Sequence, residues 1–71
     1  MSKFNEIKKM LDDAGMETPC NAKNESGEDV IITYGTDEAG PYYRVSTSQS
    51  NGWLRINTYY ESGDQTETYE K

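Results

Sequence analysis

The sequence predicts an α+β fold, in which an N-terminal helix packs on a four-stranded antiparallel β-meander and forms two layers. Three observations support this prediction. Apolar residues recur at helical spacing near the N-terminus, β-branched and aromatic residues alternate after residue 29, and an Asn-Gly pair interrupts that alternation at residues 51–52. We expect a single domain over residues 1–71, with a helix at about 2–15, an irregular link at 16–28 and a sheet at 29–70.

The helix is predicted from an apolar stripe and from residues that suit its two ends. Ser2 is a good N-cap, and Gly15 suits the left-handed position just past a helix end. The stripe consists of Phe4, Ile7, Leu11 and Ala14, with Met10 beside it. Residues 16–28 are rich in turn formers, which predicts an irregular connection with Met16 and Cys20 tucked under the sheet.

Four strands are predicted at residues 29–34, 42–48, 53–60 and 65–70. The central hairpin closes through either a two-residue loop or a four-residue loop ending at Gly52, and both registers give the same two faces. The face toward the helix is predicted to carry Val30, Ile32, Tyr43, Val45, Leu54, Ile56 and Tyr69. The opposite face is predicted to carry Ile31, Tyr42, Arg44, Trp53, Arg55 and Tyr59.

Charge limits the classes of partner. Thirteen acidic residues against seven basic ones give a net charge of −6, which disfavours direct binding to nucleic acid or to an anionic membrane. The same charge suits a basic protein partner, or solubility alone. No signal peptide or long apolar run is present in the sequence, so we expect a cytoplasmic protein. Cys20 has no His in the chain to act as its base, and a structural role is favoured over a nucleophilic one.

Acidic residues concentrate in two loops that a meander places at the same end of the sheet. The loops 35–41 and 61–64 supply Asp37, Glu38, Glu61 and Asp64. These carboxylates could bind Ca²⁺, act as an acid/base pair, contact a basic protein, or only be solvated. The Asp-x-Asp-x-Asp-Gly pattern of a calcium loop is absent from the sequence. Asp12 and Asp13, in the last helical turn, either serve a partner or are compensated by Lys8 and Lys9.

The aromatic sheet face offers an alternative partner surface, made of Tyr42, Arg44, Trp53, Arg55 and Tyr59. Tyr, Trp and Arg are enriched at protein–protein hot spots, and aromatic side chains can also stack on single-stranded nucleic acid. The acidic background argues against nucleic acid. Self-association to a homodimer, a foreign partner, and cross-strand stabilisation of the sheet remain open interpretations of this face.

The acidic composition, the length of 71 residues, the missing His and the α-β-β-β-β order together resemble small phage-encoded anti-CRISPR proteins, some of which imitate DNA. The resemblance implies a non-enzymatic inhibitor, without cofactor or metal, in the host cell cytoplasm. Its carboxylates would replace DNA phosphates against a basic nucleic-acid-binding protein, such as a CRISPR effector subunit. The candidate residues for this acidic surface are Asp12, Asp13, Glu17, Asp37, Glu38, Glu61 and Asp64.

Overall fold

The computed structural model describes residues 2–71 and contains one helix, α1, at Lys3–Ala14 within them. Met1, which borders the predicted helical segment, lies outside the described residues. The Ser2 hydroxyl accepts a hydrogen bond from the Asn5 amide at 3.3 Å, as expected for an N-cap. Gly15 ends the helix at φ 66°, and its amide donates to the Asp12 carbonyl at 3.2 Å. Both predicted helix ends are therefore confirmed.

The apolar stripe of α1 is narrower than predicted. Phe4, Ile7 and Leu11 are buried, whereas Met10 is 43% exposed and Ala14 is also exposed. The three buried positions follow the helical period and point at the sheet. Ala14 is the last residue of the helix, where the chain already turns away toward Gly15.

Among residues 2–71, five strands form one antiparallel sheet in the order β1-β2-β3-β4-β5. They are β1 (Cys20–Lys23), β2 (Asp29–Asp37), β3 (Gly40–Ser48), β4 (Leu54–Tyr60) and β5 (Gln65–Glu70). Each strand pairs with the next one along the chain, so the sheet is a meander as predicted. The α+β class is confirmed, with five strands in place of four.

The extra strand, β1, lies inside the segment that was predicted to be irregular. Cys20 pairs with Ile32, and Lys23 pairs with Asp29. Cys20 and Ala22 are half-buried against the core, whereas Asn21 and Lys23 are exposed. Four residues without a β-branched or aromatic side chain carry almost no strand signal, and this strand depends on pairing with β2.

The register of the central hairpin differs from both predicted registers. The connection has five residues, 49–53, and is closed by a hydrogen bond from the Gln49 amide to the Trp53 carbonyl at 2.9 Å. Val45 therefore pairs with Asn57. An odd change in loop length reverses the faces of the residues in β4, because side chains alternate along a strand.

This reversal corrects the predicted faces of β4. Leu54 and Ile56 lie on the sheet face away from α1, and Arg55 and Tyr59 lie on the face toward it. We call these the open face and the helix face. Strand β5 pairs Tyr69 with Arg55, so Tyr69 stays on the helix face, but it is 50% exposed because α1 does not reach it.

The core lies between α1 and the helix face of the central strands. It consists of Phe4, Ile7, Leu11, Val30, Ile32 and Tyr43. The Phe4 and Tyr43 rings pack with their centroids 4.8 Å apart. Met16 and Cys20 pack against this cluster, as predicted. One helix is narrower than a five-stranded sheet, so only part of the helix face is covered.

Candidate interaction surfaces

Two tight turns lie side by side at one end of the sheet, which we call the turn end. They connect β2 to β3 at residues 38–39 and β4 to β5 at residues 61–64. The Glu61 amide donates to the Pro41 carbonyl at 3.0 Å, and the Tyr60 hydroxyl donates to the Asp37 carboxylate at 2.8 Å. The structure thus brings the two predicted acidic loops together. Their carboxylates, the turn-end carboxylates, are Asp37, Glu38, Glu61 and Asp64.

Local hydrogen bonds fix the shape of both turns. One Asp37 oxygen accepts from the Ala39 amide at 2.8 Å, and Gly40 adopts φ 110°, which favours glycine. In the second turn, the Tyr60 amide donates to the Asp64 carbonyl at 2.9 Å. Asp37 therefore has a structural role in its turn, while Glu38, Glu61 and Asp64 project from exposed positions.

The turn-end carboxylates form no ion pair among residues 2–71. The ion pairs of these residues join Lys9 to Asp13 at 3.0 Å, Lys23 to Asp29 at 3.0 Å and Arg55 to Glu28 at 4.0 Å. All three lie away from the two turns. No lysine or arginine of the described chain therefore pairs directly with a carboxylate of the turn end.

The three other predicted acidic residues lie outside the turn end. Asp13 is bound by Lys9 one helical turn earlier, which fits the interpretation that the helix lysines compensate its charge. Asp12 is exposed near the end of α1. Burial raises the pKa of Tyr43, and the negative charge of Asp12 raises it further. Glu17 is exposed in the connection from α1 to β1.

A calcium site finds no support in this arrangement. Among residues 2–71, no three Asp, Glu, Cys or His side chains come close enough together to hold a metal ion. The turn-end carboxylates therefore share one end of the sheet without converging on a single point. Such spacing suits contact with several separate cations on a broad surface.

The predicted aromatic face is divided by the reversed register. Tyr42 and Arg44 lie on the open face as predicted, whereas Arg55 and Tyr59 lie on the helix face, which corrects their assignment. Trp53 belongs to the 49–53 connection, and the Lys71 ammonium lies 5.9 Å from its ring centroid. The open face also carries apolar and aromatic residues that sequence reasoning placed on the core side or left unassigned: Leu54, Ile56 and Tyr60.

Side chains on the open face contact one another across strands. The Arg44 guanidinium lies 4.9 Å from the centroid of the Tyr42 ring, and its Nε donates to the Thr58 hydroxyl at 3.3 Å. The Tyr42 and Tyr60 rings meet edge-to-face at 5.5 Å. Thr58 is only 4% exposed as a result. These contacts fit the interpretation that the aromatic residues stabilise the sheet, while Ile31 on the same face remains 49% exposed.

Comparison with known protein families, curated proteins and solved structures gives no match for this chain. Within residues 2–71, no helix combines the length and the apolar character that crossing a bilayer requires.

Proposed function

We propose that this protein is a non-enzymatic inhibitor that binds a basic, nucleic-acid-binding defence protein of the CRISPR effector type in the host cytoplasm. The observation that carries the proposal is the set of turn-end carboxylates, which are exposed and unpaired with any Lys or Arg of residues 2–71. Inhibition follows from occupancy: the inhibitor and nucleic acid compete for the same cations, and no catalytic group or cofactor is needed.

Electrostatics explain why the partner should be a nucleic-acid-binding protein. Such proteins grip phosphates with rows of Lys and Arg, and carboxylates on separate turns can meet the same cations. The net charge of −6 repels nucleic acid itself, so the contact is with the protein. The charge also accelerates encounter with a basic channel, and this attraction weakens as salt rises.

The test is displacement of labelled target DNA from purified CRISPR effector complexes, followed by fluorescence polarisation at low and high salt. We expect the protein to release DNA from its target complex, and we expect a stronger effect at low salt. A variant combining Asp37→Asn with Glu38→Lys, Glu61→Lys and Asp64→Lys should lose about two orders of magnitude in affinity, as several desolvated charge contacts are removed. Asn is used at 37 because its amide oxygen can still accept the Ala39 amide.

The matched control changes the net charge by the same amount elsewhere. It combines Glu6→Gln with Glu25→Lys, Glu67→Lys and Glu70→Lys, all at exposed positions. Near wild-type inhibition by this control, with loss in the turn-end variant, would locate binding at the turn end. Equal loss of inhibition in both variants would show that inhibition depends on the net charge of the protein and not on the turn end. Undiminished inhibition by the turn-end variant, or no displacement from any complex, would refute the proposal.

A second candidate function, an interaction or homo-oligomerisation module, is favoured by the exposed apolar residues of the open face. Ile31 and Leu54 are 49% and 37% exposed there. Self-association through this face would bury apolar area, so it should resist added salt. Sedimentation of the wild type and of Ile31→Lys at several concentrations tests this candidate. A wild type that stays monomeric at every concentration would exclude the homo-oligomer.

A further inference from the structure

A cavity of about 380 Å³ lies between α1 and the helix face, at the end of the sheet opposite the turns. We call this end the loop end, since it carries the connections 24–28 and 49–53. Its lining includes Ile7 and Met10 from the helix, Ala22 from β1, and Val30 and Val45 from the sheet. The volume falls at the small end of the range for ligand pockets, about 300–1,000 Å³.

Arg55 gives this mostly apolar cavity a cation. It lines the cavity from β4, between its cross-strand neighbours Thr47 and Tyr69. Its Nε is buried and has no hydrogen-bond acceptor among residues 2–71. A buried donor without an acceptor is uncommon in proteins, and an unpaired donor on a charged group is the more costly kind.

The neighbouring carboxylate satisfies Arg55 only weakly. Glu28 Oε1 lies 4.0 Å from the terminal nitrogen Nη2, while the Asn24 amide holds the same oxygen at 3.0 Å. Glu28 is on the exposed 24–28 connection, and Glu25 and Lys23 line the cavity from the same side. Lys23 is already paired with Asp29, whereas Lys3 lines the cavity without an ion-pair partner among the described residues.

We propose that this cavity binds a small organic carboxylate with an apolar body, whose carboxylate is held by Arg55. The apolar walls accept the body of the ligand, and its carboxylate accepts from the terminal nitrogens of Arg55, whose side chain is 31% exposed and whose nearest carboxylate is 4.0 Å away. Lys3 adds a second positive charge to the cavity lining. A volume of about 380 Å³ suits a small molecule.

The site is separate from the surface of the proposed function. The turn-end carboxylates lie at the other end of the strands and do not line the cavity. The two proposals can therefore fail independently: a turn-end variant should keep carboxylate binding, and an Arg55 variant should keep the acidic turn end.

The experiment titrates the full-length protein with octanoate and, separately, with octanol, and follows backbone amide shifts by NMR. We expect octanoate to bind, with shifts at Ala22, Val45 and Thr47, and octanol to bind at least about tenfold more weakly. Arg55→Gln should weaken octanoate binding by about tenfold or more. Arg44→Gln, which removes the same charge from the open face, should leave it unchanged. Glu28→Gln should strengthen it, because the competing carboxylate is removed.

The possible outcomes distinguish carboxylate recognition by Arg55 from apolar binding alone and from binding at the open face. Equal binding of octanoate and octanol would overturn it, because Arg55 would then contribute no recognition of the carboxylate. Octanoate shifts confined to the open face, or absent, would overturn it as well. Should Arg55→Gln fail to fold, Glu28→Gln still decides the question: unchanged or weaker octanoate affinity in that exposed variant would count against the site.

Discussion

The two faces of the sheet carry nearly the same residue types but have different physical environments. Neighbouring pairs show this directly: Ile31 is 49% exposed on the open face, and Ile32 is 2% exposed on the helix face. Tyr42 and Tyr43 also lie on opposite faces, as do Tyr59 and Tyr60, and each face has one arginine. The residue type alone therefore does not determine the role of a position in this protein; the strand register and the single helix do.

The arginines illustrate the difference best. On the open face, Arg44 has both a stacked ring and a hydroxyl acceptor, so its guanidinium is used in holding neighbouring strands together. On the helix face, Arg55 is partly covered, its Nε lacks an acceptor among residues 2–71, and its ion pair is long. One arginine completes a local network, and the other retains binding capacity. This contrast is the reason why the proposed ligand site lies on the helix face.

The largest expected effect comes from the adjacent isoleucines. Ile32→Ala should lower the free energy of unfolding by about 2–5 kcal/mol, since it opens a cavity in the core that Ile32 shares with the buried residues of α1. Ile31→Ala should cost at most about 1 kcal/mol, mainly through β-propensity. Urea unfolding of both variants, followed by far-ultraviolet circular dichroism, measures the difference.

The two isoleucine variants also test whether the open face is exposed to solvent. If a second copy covers the open face in solution, Ile31→Ala will approach the cost of Ile32→Ala, and that cost will depend on protein concentration. Measurement at two concentrations a hundredfold apart separates these cases. Equal and concentration-dependent costs would show that the open face is an interface, in favour of the second candidate function.

The sequence determined the helix and the strand order well, because their signals are local. Ser2 and Gly15 marked the helix ends, and alternating residues from 29 onward marked four of the five strands. The sequence pattern predicts that Thr33 pairs with Tyr42 and Ile32 with Tyr43, whereas the structure pairs Ile32 with Val45. This shift is even, two residues, so it leaves the faces unchanged. Local sequence patterns therefore predicted the faces of β2 and β3 correctly, even though they predicted the wrong register between these strands.

The faces of β4 could not be predicted, because they depend on one residue of loop length. The Asn51-Gly52 pair suggested an even loop, and Gly52 does have a positive φ of 86°. Trp53, however, joins the connection: its amide donates to the Asn51 side chain at 3.0 Å, and its carbonyl closes the loop. The correct placement of Arg55, and with it the cavity, followed only from the three-dimensional register.

A smaller effect is expected at Thr58, which is the buried threonine of the open face. Thr58→Ala should cost about 1 kcal/mol more than Thr68→Ala, because it removes the acceptor of the Arg44 Nε hydrogen bond. Thr68 is on the same face and is exposed, so it controls for β-propensity. Thermal or urea unfolding compares the two. Equal costs would show that the Arg44–Thr58 contact contributes nothing to stability.

The smallest expected effect is on the titration of two tyrosines, Tyr43 on the helix face and Tyr60 on the open face. Burial is the main reason for the raised pKa of Tyr43, with Asp12 next, whereas the raised pKa of Tyr60 comes first from its hydrogen bond to Asp37. Asp37→Asn should therefore lower the pKa of Tyr60 toward its ordinary value and leave that of Tyr43 unchanged. Asp12→Asn should lower the pKa of Tyr43 and leave that of Tyr60 unchanged. The shift should be smaller, because Tyr43 remains buried.

The direction of the stability effect follows from these raised pKa values. A folded state that holds its phenolic protons more tightly than the unfolded state is favoured fully below the unfolded pKa of about 10. That contribution is lost as the pH rises through the folded pKa values. Residue-resolved NMR titration under alkaline conditions tests the assignment. A fall in the pKa of Tyr43 in Asp37→Asn would show that the two faces are electrostatically coupled, and it would remove the distinction between a buried ring and a hydrogen-bonded one.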